Sequence, residues 1–154
     1  MGLRSSNGDQ FLMKAEWSHA FATKYDNLEV VETNVISQGR LIFLDDSCNE
    51  KFKETNDPKY RQCYTRMVFR TDKSTGETVG FLMTVVPDLD RLEKSKFKPF
   101  MDVTYLFRSH QFGGMILFHE MDGRFSNGWT YKKGKIVAKI TAMDVDPSNV
   151  MLLI

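Results

Sequence analysis

Side chains that could perform catalysis are scattered along this chain rather than gathered in a motif. The three histidines, His19, His110 and His119, have no spacing typical of metal ligands. His119 and Glu120 are neighbours in a predicted strand, where successive side chains point to opposite faces, so we do not expect them to act together. No serine lies in a G-x-S-x-G elbow, and no glycine-rich phosphate loop is present. The sequence therefore predicts no catalytic residue, no metal site and no cofactor.

Carboxylate pairs are the remaining source of acid and base chemistry. They occur at three places: Asp45 and Asp46, Asp88 and Asp90, and Asp144 and Asp146. None has the D-x-D-x-D-G spacing of a calcium loop, and turn or capping roles are the first interpretation. Carboxylates that are distant in sequence can still meet in space, so a small hydrolase or carbohydrate-active enzyme stays open as an alternative.

Two cysteines, Cys48 and Cys63, are 15 residues apart. A disulfide between them would close a short loop and add about 3 kcal/mol in the chain-entropy description. Two buried thiols are the alternative interpretation. With no C-x-x-C spacing, a zinc site is not expected.

An aromatic set could offer a stacking platform for a sugar. Trp129 and Tyr131 alternate to the same face of a predicted strand, and Phe125 precedes them. The alternative is ordinary core packing across strands. We name these three residues as a candidate ligand site.

A second candidate surface lies in the segment 91–100. Its basic and aromatic residues are Arg91, Lys94, Lys96, Lys98, Phe97 and Phe100. Such a patch could bind an anionic polymer or a membrane surface. Glu93 interrupts it, so a solvated helix face is the alternative.

The elements that must position these side chains are mostly strands. Alternating apolar patterns predict two early hairpins, over residues 28–36 with 40–44 and 62–71 with 78–86, and a late meander over residues 112–141. We also expect helices over 13–24 and 88–98, a polar loop at 49–61 and a strand at 101–107. The predicted class is α+β, a mainly antiparallel sheet of about seven or eight strands with one or two short helices; all-β is the alternative.

Length and charge fit one domain of ordinary globular composition. The chain has 154 residues, of which 42% are hydrophobic and 27% are charged. Its net charge of +1 shows none of the excess of basic residues that is typical of nucleic-acid-binding domains. No apolar run approaches a membrane span. We expect a tail over residues 1–10 that is disordered or added by cloning. We then expect a single domain over 11–154. If the apolar C-terminal end does not pack against this domain, the domain would be the N-terminal part of a longer natural chain.

Residues 122–136, DGRFSNGWTYKKGKI, follow the pattern D-G-x-F-x-N-G-W-x-Y-x-x-G-K-I. Together with 65–70, 73–77 and 80–87, they resemble a family of uncharacterised exported proteins and lipoproteins of Bacteroidetes. The resemblance implies a place in the periplasm or at the cell surface and a lipid anchor outside this chain. It transfers no catalytic residue. The second half is also similar to MORN-type hairpin repeats.

Taken together, these features predict a non-catalytic, exported or cell-surface interaction domain. Its partner would be a protein or a glycan. The MORN-like hairpins support a different alternative, a cytosolic immunity- or antitoxin-like binding protein. Reduced, unbridged cysteines would favour that alternative.

Overall fold

Antiparallel pairing of sequential strands organises the computed structural model, which describes residues 2–4, 10–37, 40–144 and 147–153. The strands are β1 Gly2–Arg4, β2 Gln10–Ala15, β3 Phe21–Tyr25, β4 Leu28–Ser37, β5 Arg40–Phe43, β6 Tyr64–Asp72, β7 Glu77–Pro87, β8 Gly114–His119, β9 Phe125–Lys132, β10 Lys135–Ile140 and β11 Val150–Leu153. The α-helices are α1 Asp46–Thr55 and α2 Leu89–Lys94. Short 3-10 helices lie at Trp17–His19, Pro58–Tyr60, Ala142–Asp144 and Pro147–Asn149.

One large sheet carries most of the strands, in the order β1-β2-β4-β6-β7-β8-β9-β10, with β3 also paired to β4. Strands β5 and β11 form a separate two-stranded sheet. All pairs are antiparallel. The predicted α+β class, dominated by antiparallel sheet, is confirmed.

The large sheet is apolar on both faces because its central strands alternate two sets of buried side chains. On β6, Val68 belongs to one core cluster, whereas Met67 belongs to another. On β7, every residue from 82 to 87 is buried, as expected for a central strand covered on both sides. We call the side of Val68 the groove face, and the other side, which α1 and α2 cover, the helix face.

Both helices begin at aspartates that cap them. The Asp45 carboxylate accepts the Cys48 N–H, and the Asp88 carboxylate accepts the Arg91 N–H, each at 2.8 Å. The cap predicted at Asp88 is confirmed, but α2 ends at Lys94, before Lys98. Helix α1 occupies about half of the segment that we predicted as a loop at 49–61. The helix can be polar in composition because it buries few of its side chains.

Four predicted elements differ from the structure. The hairpin predicted between 28–36 and 40–44 does not form: β4 pairs with β2 and β3 on one edge and with β6 on the other, so β5 pairs with β11 in a separate sheet instead. The helix predicted at 13–24 is wrong: β2, a 3-10 turn and β3 occupy it, because pairing with β4 outweighs the local i,i+4 spacing of aromatics. The strand predicted at 101–107 is reduced to one bridge between Val103 and Arg108. Within the predicted tail, Gly2–Arg4 pairs with β2, and residues 5–9 lie outside the described residues.

The late meander forms as its turn residues predict. Glycine at 123 and at 134 adopts positive φ, which suits the hairpin turns that join β8, β9 and β10. Lys133 and Gly134 form a two-residue turn with φ of 51° and 75°. A bulge lies at Ser126 in β9, since Phe118 pairs with Asn127 and His119 with Phe125.

Candidate functional site

A groove of about 780 Å³ opens on the groove face of the large sheet. Half-buried aromatic side chains of Phe81, Phe118 and Trp129 line it from three adjacent strands. Residues 95–113, which we call the covering loop, supply its wall through Tyr105, Leu106 and Arg108. This concave mixture of aromatic and polar groups is typical of a ligand site. We call it the aromatic groove.

The aromatic rings of the groove pack against one another. Tyr105 lies 5.4 Å from Phe81 and 6.3 Å from Phe118, measured between ring centroids, and Phe81 lies 5.8 Å from Phe118. Tilted and edge-on arrangements of this kind are the favoured ones. They tie the covering loop to the floor of the groove.

A buried carboxylate on the sheet, that of Glu32, also holds the covering loop in place. Glu32 is fully buried; it accepts the Tyr105 N–H at 3.0 Å and pairs with Arg66 at 3.4 Å. Arg66 also donates to the Val103 carbonyl at 2.5 Å. A buried charge is tolerated only with such partners, so this pair fixes where the loop crosses the sheet.

A second buried ion pair joins α2 to the covering loop. Arg91 is 5% exposed and binds Asp102 through both Nε and Nη2. The hydrogen bonds that Arg91 donates to Asp102 are the main cause of its raised pKa, and its guanidinium also lies 4.3 Å from the Phe100 ring centroid. Arg91 therefore belongs to the core and not to a binding surface.

The other residues of the predicted basic patch do not come together to form one binding surface. Lys94 is exposed and pairs with Asp90 at 2.9 Å, an i,i+4 contact on the surface of α2. Lys96 is exposed with a φ of 55° just after the helix. Phe97 and Phe100 pack on a core cluster of the helix face. The alternative interpretation, a solvated helix surface, fits this arrangement better.

The predicted aromatic set is divided between the two faces of the sheet. Trp129 lines the aromatic groove. Tyr131 is 5% exposed and packs 5.6 Å from Phe112, so its ring serves mainly as core. Phe125 packs on the helix face, because the bulge at Ser126 inverts the alternation that would have placed it beside Trp129.

The polar groups of the groove were not predicted as a site. Arg70 on β6 and Arg108 on the covering loop bring two cations, whereas Glu120 and Asn127 lie at the β8–β9 end. The alternation of β6, which places Arg70 on the same face as Val68, was a signal for Arg70. Arg108 and Tyr105 enter only because the covering loop folds back over the sheet, which no local pattern specifies.

A second cleft, of about 570 Å³, is acidic. Asp45, Asp46, Asp88 and Asp144 line it together with Lys132 and Lys139. Burial, and then the nearby Asp45 charge, raise the pKa of Asp88. Asp45 and Asp88 are already engaged as helix caps, and their repulsion is a structural cost of that arrangement. In the described part of the chain, no three His, Cys, Asp or Glu side chains are grouped to hold a metal ion.

The disulfide left open between Cys48 and Cys63 is not formed in the structure. Both residues are thiols that belong to one apolar cluster on the helix face. Burial is the main cause of the raised pKa of the Cys48 thiol, followed by its contact with Asp45. An inert, protonated thiol is therefore expected there.

The histidines occupy unrelated places. His119 is half-buried between the rings of Phe43 and Phe125, at centroid distances of 5.4 and 5.5 Å, and burial lowers its pKa. His19 pairs with Glu16 at 2.9 Å, and His110 is exposed in the covering loop. They do not form a site with one another.

Comparison with known proteins adds no relative. No protein-family model, curated protein or solved structure matches the chain. The resemblance of residues 122–136 to exported Bacteroidetes proteins therefore stays a prediction. Among the described helices, none is both long and apolar enough to cross a membrane.

Proposed function

We propose that this protein is a non-catalytic binding module that takes a saccharide in the aromatic groove. The observation that carries the proposal is the groove itself, about 780 Å³ of space with half-exposed aromatic side chains on its floor and polar groups at its rim. The C–H faces of a sugar ring can lie on aromatic rings, while its hydroxyls need donors and acceptors beside them. Glu120, Asn127 and Arg70 offer such groups.

Pre-organisation supports the same proposal. The covering loop is held by Glu32 and Asp102, two buried carboxylates with arginine partners. A wall that is already ordered loses little conformational entropy when a ligand binds. The groove is thus suited to binding without rearrangement.

The setting we propose is the periplasm or the cell surface. This setting is supported by the resemblance of residues 122–136 to exported proteins and lipoproteins. It also fits the proposed ligand, because glycans are present at cell surfaces. Fractionation of source cells, with the protein detected by antibody, tests this setting. Recovery in the cytosol alone would instead favour the immunity- or antitoxin-like alternative, in whose favour the missing disulfide between Cys48 and Cys63 also counts.

An array of immobilised glycans tests the proposed binding directly. We expect the protein to retain one related group of glycans, and Trp129→Leu to lose that retention. Trp17→Leu is the matched control, because Trp17 is exposed and stacks on Phe69, outside the groove. Equal losses in both variants, or no retained glycan, would overturn the proposal.

The acidic cleft supports a second candidate, a hydrolase that uses Asp45 and Asp88. The observation in its favour is that both carboxylates line one cleft and that the pKa of Asp88 is raised. Turnover of glycoside or ester substrates that Asp88→Asn abolishes would establish it. We rank it second because both carboxylates already accept backbone N–H groups.

A further inference from the structure

We infer that the ligand of the aromatic groove is a saccharide bearing a carboxylate, which Arg70 and Arg108 bind. This inference rests on the proposed function and specifies its ligand class. It starts from the presence of two guanidinium groups in one groove whose remaining lining is largely aromatic and apolar.

The two arginines of the groove differ from others in the chain. Arg66, Arg91 and Arg124 each form an ion pair with a carboxylate. Among the described residues, no carboxylate forms an ion pair with Arg70 or Arg108. A half-buried cation without a counter-charge is a favourable partner for an incoming anion.

Arg108 is held in place by backbone atoms. Its Nη1 donates to the carbonyls of Thr104, Tyr105 and Phe107, and its guanidinium lies 5.5 Å from the Tyr131 ring centroid. Its Nε is buried and has no hydrogen-bond partner. The charge is thus fixed at the wall of the groove, and one of its donors is unused.

Arg70 faces the same space from the sheet. Its Nη1 donates to the Tyr105 hydroxyl at 2.8 Å, which orients the guanidinium with one hydrogen bond. The planar donor fork of arginine matches a carboxylate in a bidentate manner. A uronic acid or a similar sugar would place its flat ring on aromatic side chains and its carboxylate toward the arginines.

Two carboxylates near the groove do not cancel this charge. Glu120 also lines the groove, but it is exposed and accepts the Ser126 hydroxyl at 2.9 Å. Asp72 follows Arg70 by two residues, and its pKa is lowered mainly by its hydrogen bonds with Ser74 and last by the charge of Arg70, with which it forms no ion pair. Neither carboxylate forms an ion pair with Arg70 or Arg108, so both guanidinium groups keep their charge for a ligand.

The test uses one glycan array printed twice, with carboxylates free and with carboxylates converted to methyl esters. We expect retention of uronic or other carboxylated glycans, and loss of that retention after esterification. Equal retention of both forms, or retention of neutral or sulfated glycans only, would overturn the carboxylate while leaving the proposed function standing. An empty array would overturn the proposed function itself.

Variants then assign the anion to its residues. Arg70→Gln should weaken binding of a retained acidic glycan by about tenfold and leave binding of its ester unchanged, since one charge-assisted interaction is removed. Arg70→Lys should restore part of the loss. Tyr105→Phe breaks the Arg70–Tyr105 hydrogen bond but keeps the charge of Arg70, so it should weaken binding less than Arg70→Gln does.

Arg124→Gln, which changes an exposed arginine outside the groove, is the matched control. A loss as large in Arg124→Gln, or none in Arg70→Gln, would contradict the assignment.

Discussion

At the scale of single residues, two arginines on one strand have different tasks because their partners differ. Arg66 is 2% exposed and forms an ion pair with Glu32, which lies 34 positions away in the sequence. Arg70, four residues further along the same face, donates a hydrogen bond to the Tyr105 hydroxyl and forms no ion pair with a described carboxylate. The alternation of β6 predicted that both would share a face. Their partners could not be predicted, because those contacts join segments that only the tertiary fold brings together.

Asp88 illustrates a capping residue with an electrostatic cost. Burial and Asp45 raise its pKa, so the folded state binds a proton more readily than the unfolded state. Ionised Asp88 therefore lowers stability at neutral pH, and this penalty disappears as the pH falls through the raised pKa. Asp88→Asn keeps a cap acceptor for the Arg91 N–H but removes the charge.

We expect Asp88→Asn to be at least as stable as the parent at pH 7. Asp88→Ala should lose roughly 1 kcal/mol because the cap is lost. Urea denaturation of both variants at pH 7 measures the difference in the free energy of unfolding. Equal stability of Asn and Ala at this position would show that the cap contributes nothing.

His119 should make stability depend on pH in the opposite direction. Burial lowers its pKa below the ordinary 6.5, so on acidification the unfolded state takes up the proton first. The free energy of unfolding should fall as the pH drops from about 6.5 through the lowered pKa. His119→Phe, which can pack between Phe43 and Phe125, should remove this part of the decline. Parallel denaturation series between pH 5 and 8 would reveal it, and identical slopes would refute it.

At the scale of elements, the covering loop depends on buried charge rather than on secondary structure. Asp102→Ala would leave Arg91 buried without its partner and should cost about 3 kcal/mol. Asp90→Ala, which breaks the exposed pair with Lys94, should change stability by less than about 1 kcal/mol. Thermal unfolding compares the two. A similar small effect for both would mean that the loop is held by apolar packing alone.

The hairpins were predictable where turn chemistry and alternation agree. Lys133 and Gly134 mark a turn, β6 alternates cleanly and β7 is a continuous apolar run, and the structure follows these patterns. The errors lie where a local pattern competed with pairing. The aromatics of residues 17–25 are spaced as on a helix, yet β4 recruits that segment as a strand. Residues 101–107 alternate like a strand but instead cross the sheet, held by Glu32 and Arg66.

At the scale of the whole molecule, the two faces of the sheet have separate roles. The helix face is covered by α1, α2 and the β5–β11 pair, which bury its apolar side chains. The groove face is covered only in part, by the covering loop, and the uncovered part is the aromatic groove. Of the candidate site, the sequence predicted Trp129; the bulge at Ser126 and the fold of the loop determined the rest.

The most direct measurement is a ¹H–¹⁵N NMR titration of the whole chain with a pool of acidic oligosaccharides: oligogalacturonate, alginate fragments and hyaluronan fragments. The account predicts saturable shifts of backbone amides around the groove, at Gly80, Asn127 and Trp129. Shifts confined to the acidic cleft, at Asp45 and Asp88, or an unchanged spectrum would contradict it.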